Sequence, residues 1–267
     1  MSPSQAIVAA DWEECERKLR EIETENRASR SGVYFRGLPD AEWQLTTTLE
    51  RRRESPFFVE EYDQLMRRTL PEVAAFAGNT WPLPEWSEPG DNFGPYFKFM
   101  PAFGYLAYLR HHGFPSPLMD WSRSPYIAAY FAFAKANVTG AEKVAIFAYS
   151  ETPNNQKSST TNRPHILTHG GMALKTHARH FRQQACYTVC VQRRDEDGRP
   201  WQFASHQSVF DLGHTDQDRL YKIEVPAAER TKVLSLLERF NLTEFSLFGS
   251  EESLMESMAF KWIDLIH

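Results

Sequence analysis

Apolar residues recur every three or four positions after Asp11. Trp12, Cys15, Leu19 and Ile22 share one side of a predicted helix whose other face is charged. The Asp11 carboxylate is suited to capping that helix. The period then changes to two, and Val33 and Phe35 predict a strand that ends at Arg36-Gly37. There Gly37 gives the backbone freedom to turn sharply and lets a ligand approach. A turn at Pro39-Asp40 leads into Trp43-Gln44-Leu45. Ser55-Pro56 reads as the cap and first-turn proline of a helix running toward Ala77, with Phe58, Tyr62, Leu65, Met66 and Leu70 buried. Pro71 is expected to interrupt or kink it.

Tryptophan, proline and glycine crowd residues 78–101 and predict a long aromatic loop, a length that in compact domains often serves function. A helix over 102–112 then breaks at Gly113, and Pro125 opens another through Ala136. The alanines at 128, 129, 132 and 134 permit close backbone packing there. The apolar run 143–149 predicts a buried strand, and the Asn, Ser and Thr of 151–164 a mobile segment. Further strands are predicted at 187–192, 208–212 and 220–225, the first two flanking a polar turn around 195–198. An amphipathic helix over 226–240 carries Val233, Leu236, Leu237 and Phe240, and Ser250 with Glu251 and Glu252 opens the last helix in keeping with its dipole. No internal repeat interrupts this order. Helices early, strands in the middle and strand-helix units late predict an α+β fold.

Composition narrows the class. With 267 residues, 42% hydrophobic and 13% aromatic, the chain can bury a substantial core, and one domain over 1–267 is the expectation. A formal charge of −5 argues against a broad basic surface that coats DNA, although Arg51-Arg52-Arg53 and Arg67-Arg68 are local basic sites. The three cysteines cannot all pair, and a reducing cytoplasm fits them best. Cys186 and Cys190, four apart in a strand-like stretch, are expected on one face. The first ten residues lack the basic start and long apolar core of a signal peptide. No apolar run reaches about 18 residues, so no membrane association is expected. His165, His169, His177, His180, His206 and His214 form no helical metal pair, and no metal is expected.

The candidate chemistry begins at Tyr34-Phe35-Arg36-Gly37. A guanidinium fork suits phosphate or carboxylate, whereas a lone arginine at a strand end is ordinarily a solvated one. A second block follows at 105–132, running through Arg110-His111-His112-Gly113-Phe114-Pro115 and Leu118-Met119-Asp120-Trp121-Ser122-Arg123-Ser124-Pro125 to Ala128-Ala129-Tyr130-Phe131. Together with the stretch from Trp43 to Arg51, these motifs resemble the FRG domain family. The resemblance is concentrated over 31–135 and weakens over 140–267, where Arg182-Gln183-Gln184-Ala185-Cys186-Tyr187-Thr188 and Ser246-Leu247-Phe248-Gly249 are its echoes. Pro117 stands where the family commonly has an arginine, Arg110 where it has glutamine, and Ala185 where it has glycine. The cation missing at 117 removes a second anion contact.

The same two blocks are similar, in order, to elements of arginine-serine-glutamate type ADP-ribosyltransferases. That resemblance implies a central, mostly antiparallel split sheet flanked by helices. It also implies NAD as substrate, nicotinamide loss, and ADP-ribose transfer to a protein or nucleic-acid acceptor, or hydrolysis. Arg36, with Gly37, would hold the pyrophosphate, Ser122 would orient the ribose, and Tyr34, Trp121 and Tyr130 would wall the nicotinamide. The carboxylate that stabilises charge at the anomeric carbon has no match, because Gln183 and Gln184 occupy its place; Gln184 can bond the ribose but carries no charge. Asp120 is the nearby acid. It is also suited to cap the helix at Pro125 or pair with Arg36. His111 is an acid-base candidate, or a histidine complementing the C-terminal dipole of its helix. The implied setting is a toxin or phage-defence effector, with an antitoxin as partner. The other readings are a nucleotide or nucleic-acid binder without chemistry, and a signalling domain with a degenerate pocket.

Overall fold

The computed structural model describes residues 6–27, 32–53, 55–83, 96–151, 164–169, 178–193, 201–211 and 218–265. Strand β1 (Ile7–Val8) precedes helix α1 (Trp12–Glu25), which Asp11 caps by accepting the Glu14 N–H at 2.8 Å. Trp12, Cys15, Leu19 and Ile22 are its buried set, as their spacing predicts. Strand β2 (Val33–Leu38) continues through Arg36 and Gly37 and does not turn there. The reason for the glycine is steric. A Cβ at Gly37 would lie 1.9 Å from the Ala128 carbonyl oxygen and 2.5 Å from the Ala132 nitrogen, so the strand lies directly against helix backbone.

Thr47 and Glu50 form a reciprocal capping box that starts α2 (Thr48–Arg52). Helix α3 (Val59–Ala77) begins after the predicted Ser55-Pro56, because the Phe57 carbonyl is held extended by the Phe203 N–H at 2.9 Å. It runs through Pro71, which is exposed and donates no hydrogen bond to the Arg67 carbonyl one turn earlier. Helix α4 (Tyr96–His111) starts inside the expected loop and ends before Gly113, at φ +83°. Residues 84–95 and 152–163, with the predicted turn at 195–198, lie outside the described residues.

Strand β3 (Met119–Ser122) leads to α5 (Pro125–Ala134), capped by Ser124, and the short α6 (Ala136–Thr139). Then come β4 (Lys143–Glu151), β5 (His165–His169), α7 (Ala178–Arg182), β6 (Ala185–Arg193) and β7 (Trp201–Phe203). The strand expected at 208–212 is instead α8 (His206–Asp211). Its buried residues, His206 and Val209, stand three apart, and the Ser205 carbonyl accepts from both the Ser208 N–H and Oγ. Strand β8 (Asp218–Pro226), α9 (Arg230–Arg239), α10 (Glu244–Phe248) and the Ser250-capped α11 (Glu251–Ala259) complete the order. Phe240, expected in the buried face of α9, is exposed. No helix among the described residues is long and apolar enough to cross a membrane.

The fold is α+β, with a mostly antiparallel, open mixed sheet in the order β1-β8-β4-β2-β3-β6-β5 and β7 beside β6. Only β1 and β8 pair in parallel among these strands. The predicted split is therefore not complete, but the sheet is thin at its middle. Strands β2 and β4 pair continuously from Val33↔Ser150 to Leu38↔Ala145, whereas β2 and β3 share the single pair Phe35↔Ser122.

Alternation decides what each half of the sheet buries. Val144, Ile146 and Ala148 of β4 join Phe35 beneath α1, α5 and α9, while Tyr187, Val189 and Val191 of β6 lie beneath α3 and α4. The opposite face collects Tyr34, Trp121, Phe147, Tyr149, Cys186 and Cys190, so the two cysteines do share a face. Two helical groups thus cover one side of the sheet and meet where its strands part.

Replacing Gly37 by alanine tests this close approach. Because the obstructing atoms are backbone, Gly37→Ala is expected to cost about 3 kcal/mol or more in unfolding free energy measured by denaturant titration. A wild-type midpoint would show that strand and helix can separate freely.

Candidate functional site

A cleft of about 770 Å³ opens at the parting of β2 and β3. Arg36 reaches across the gap, and its Nη1 donates to the Asp120 carbonyl oxygen at 2.7 Å. The Asp120 carboxylate turns to Arg110, with Oδ2 2.6 Å from Nη2. Arg51 approaches from α2, held by a 2.8 Å bond from its Nη1 to the Thr46 carbonyl. Helix α5 contributes Phe131 and Lys135, and the later half of the chain contributes Arg179, Gln183 and Phe248. The described lining therefore carries five cations, Arg36, Arg51, Arg110, Lys135 and Arg179, against one carboxylate, Asp120.

Electrostatics tighten the picture. Burial pushes the Arg36 guanidinium down to about 10, Asp120 holds it up, and Arg110 and Arg51 push it further down. Arg51 is also lowered, by burial first and then by Arg110. The shifts of Arg36 and Arg51 mark these two and Arg110 as cations close enough to oppose one another. Arg36 Nε, Arg110 Nε and Asp120 Oδ1 are buried without a hydrogen-bond partner. Unmet donors such as the two arginine Nε–H groups are costly in a closed protein and find partners when an anion with several oxygens enters, whereas Asp120 Oδ1 accepts only and gains nothing from an anion.

The sequence-expected residues divide. Arg36, Gly37, Asp120, Trp121, Ser122 and His111 line the cleft. Ser122 is largely committed, since its hydroxyl donates to the Gln183 carbonyl at 2.9 Å and accepts the Ser124 N–H at 3.0 Å. His111 Nε2 lies 2.7 Å from the Tyr187 hydroxyl, which also meets His180 Nδ1 at 2.9 Å. Trp121 donates its Nε1–H to Thr188. Gln184 falls outside the lining. Its left-handed φ of +47° turns it to solvent, and Gln183 lines the cleft in its place. Tyr34 packs on Tyr149 across the opposite face of the sheet. Tyr130 faces a separate cavity of about 240 Å³, where its hydroxyl donates to Glu244 at 2.5 Å.

Residues 31–140 match the family described as FRG domain. This segment is an FRG domain. No curated protein and no solved structure matches the chain. The FRG domain carries β2, β3 and α5, and with them Arg36, Trp43, Arg51, Arg110, Asp120 and Lys135. Pro117 carries no charge, yet Arg51 and Arg110 keep the site strongly basic. Arg110 was visible only as a departure from the family pattern. The basic run at 51–53 is a candidate phosphate clamp with Arg36 in the binding reading, and Arg51 does line the cleft, whereas nothing in the linear order places Arg179 beside Arg36.

Beneath Arg36 lies His206, fully buried, its Nε2 2.8 Å from Thr188 Oγ1. Trp121 donates its Nε1–H to that same oxygen. Burial, then the Arg36 cation, lowers the His206 pKa from 6.5 to about 3. Between those values the unfolded chain binds a proton that the folded chain refuses, so stability falls as pH falls, by up to roughly 1.4 kcal/mol per unit. Above the unfolded value the contribution is level. In His206→Gln, unfolding free energy should drop less than in wild type between pH 7 and pH 5, by about 2 kcal/mol. Identical pH profiles for the two proteins would contradict a neutral, buried His206.

Proposed function

We propose that the cleft binds a pyrophosphate-bearing nucleotide and that NAD is its substrate. The observation that carries this reading is the lining of five cations against one carboxylate in a chain whose formal charge is −5. Charge-assisted bonds from arginine forks suit a pyrophosphate, and a cleft of about 770 Å³ is in the range of small-molecule sites. The thin middle of an antiparallel sheet, with Arg36 and Ser122 at its edges, supports the ADP-ribosyltransferase-like version of the reading. In that reaction the bond from nicotinamide to the ribose anomeric carbon breaks, nicotinamide leaves, and an acceptor nucleophile or water forms the new bond.

Asp120 is the residue whose carboxylate serves the developing positive charge, being the acid among the described lining residues. Arg110 half-neutralises it, which predicts slow turnover. A second reading, nucleotide capture without chemistry, is favoured by that ion pair together with the commitment of the Ser122 hydroxyl to backbone partners.

Nicotinamide release from NAD, measured alongside NAD affinity, separates the two. Slow release by wild type that disappears in Asp120→Asn while affinity persists is the expected result, and Gln183→Glu, which brings a carboxylate to the cleft, should raise the rate. Tight binding with no release from any of the three proteins leaves the capture reading. Absence of NAD binding rejects both. Arg110→Ala is expected to weaken binding by about 1.5–3 kcal/mol.

A further inference from the structure

The cations account for the phosphates of a nucleotide but leave its base unassigned. Planar groups bind aromatic faces, so the question is which ring of the cleft has a face to offer. Phe35 is fully buried. Trp121 is spent on the protein, with its ring centroid 5.4 Å from that of Tyr149 and its N–H on Thr188. Phe131 and Phe248 meet edge to face at 6.0 Å, and the Arg179 guanidinium already lies 5.2 Å over the Phe248 ring.

Trp43 remains. It lines the same cleft, is 51% exposed, and no other ring stacks on it among the described residues. A half-exposed tryptophan on a loose loop would be unremarkable, but this one is held firmly. The Ala41 N–H donates to the Lys143 carbonyl at 2.9 Å, and Asp40 accepts from both Glu42 and Trp43, at 2.8 and 3.2 Å. On the other side Leu45 is fully buried, and Arg51 bonds the Thr46 carbonyl. The ring on the segment between β2 and α2 is thus tied to the cation on α2 through the Thr46 carbonyl. Gln44, adjacent and also lining the cleft, offers an amide donor and acceptor.

We infer that Trp43 is the base-stacking platform of the cleft, so that the site takes a nucleoside diphosphate or dinucleotide with its base on Trp43 and its phosphates among Arg36, Arg51 and Arg110. The inference rests on the nucleotide-binding reading above and narrows it. Inorganic pyrophosphate would fill the cationic end alone; ADP would engage both ends.

Calorimetric titration of wild type, Trp43→Ala, Trp43→Phe and Arg110→Ala with inorganic pyrophosphate and with ADP tests this. Trp43→Ala is expected to weaken ADP binding roughly 5- to 100-fold while leaving pyrophosphate affinity unchanged. Trp43→Phe should recover most of the loss, and Arg110→Ala should weaken both ligands. An unchanged ADP affinity in Trp43→Ala, or an equal loss for both ligands, overturns the stacking role and leaves the anion site standing. If wild type binds ADP no more tightly than pyrophosphate, the stacking role falls in the same way. If wild type binds neither ligand, the nucleotide reading falls and takes the platform with it.

Discussion

The bond from Arg36 to the Asp120 carbonyl crosses the one place where the sheet lacks a ladder. Strands β2 and β3 touch at Phe35↔Ser122 and then separate, so the backbone groups beyond that pair must find partners elsewhere or remain unmet. A side chain supplies what a strand would otherwise supply. It can do so because Arg36 stands in the strand itself, one residue from the last pair, while Gly37 lets the next residue press against α5. Both the opening and the cation that occupies it therefore follow from two adjacent residues.

That arrangement places charge where it is poorly solvated. Arg36, Arg51 and Arg110 repel one another, and Asp120 offsets part of the repulsion by pairing with Arg110. His206 below is kept neutral, which avoids a further positive charge under Arg36. The surface elsewhere is acidic enough to leave the whole chain negative. The field of the cleft is thus local, suited to a small anion and unsuited to coating a polyanion along its length.

Much of this was legible in the chain. The three-to-four spacing after Asp11, the apolar run of β4 and the Ser250 cap each specify their element through local physics, and the structure follows them. Arg36, singled out by motif order, does line the cleft. Other features depend on contacts between distant residues. Gly37 looked like a hinge because glycine permits turning, but its missing Cβ answers to Ala128, about ninety positions away. Val209 and Phe210 favour strand by propensity, yet burial of His206 and Val209 three apart selects a helix. Gln183 and Gln184 are chemically identical, and a single left-handed residue decides which one faces the cleft.

The FRG domain contributes only β2 and β3 to the sheet, and those two strands share one pair with each other. Their continuous partners, β4 and β6, are both encoded after residue 140. A ribosome that has released this segment has therefore made most of the arginines of the cleft but no lasting neighbour for either strand. Until β4 and β6 emerge, two apolar edges carrying Phe35 and Trp121 stay open to the solvent. The boundary drawn by sequence similarity is accordingly not a boundary of folding: the strands of the matched segment wait for their continuous partners on residues that lie beyond it.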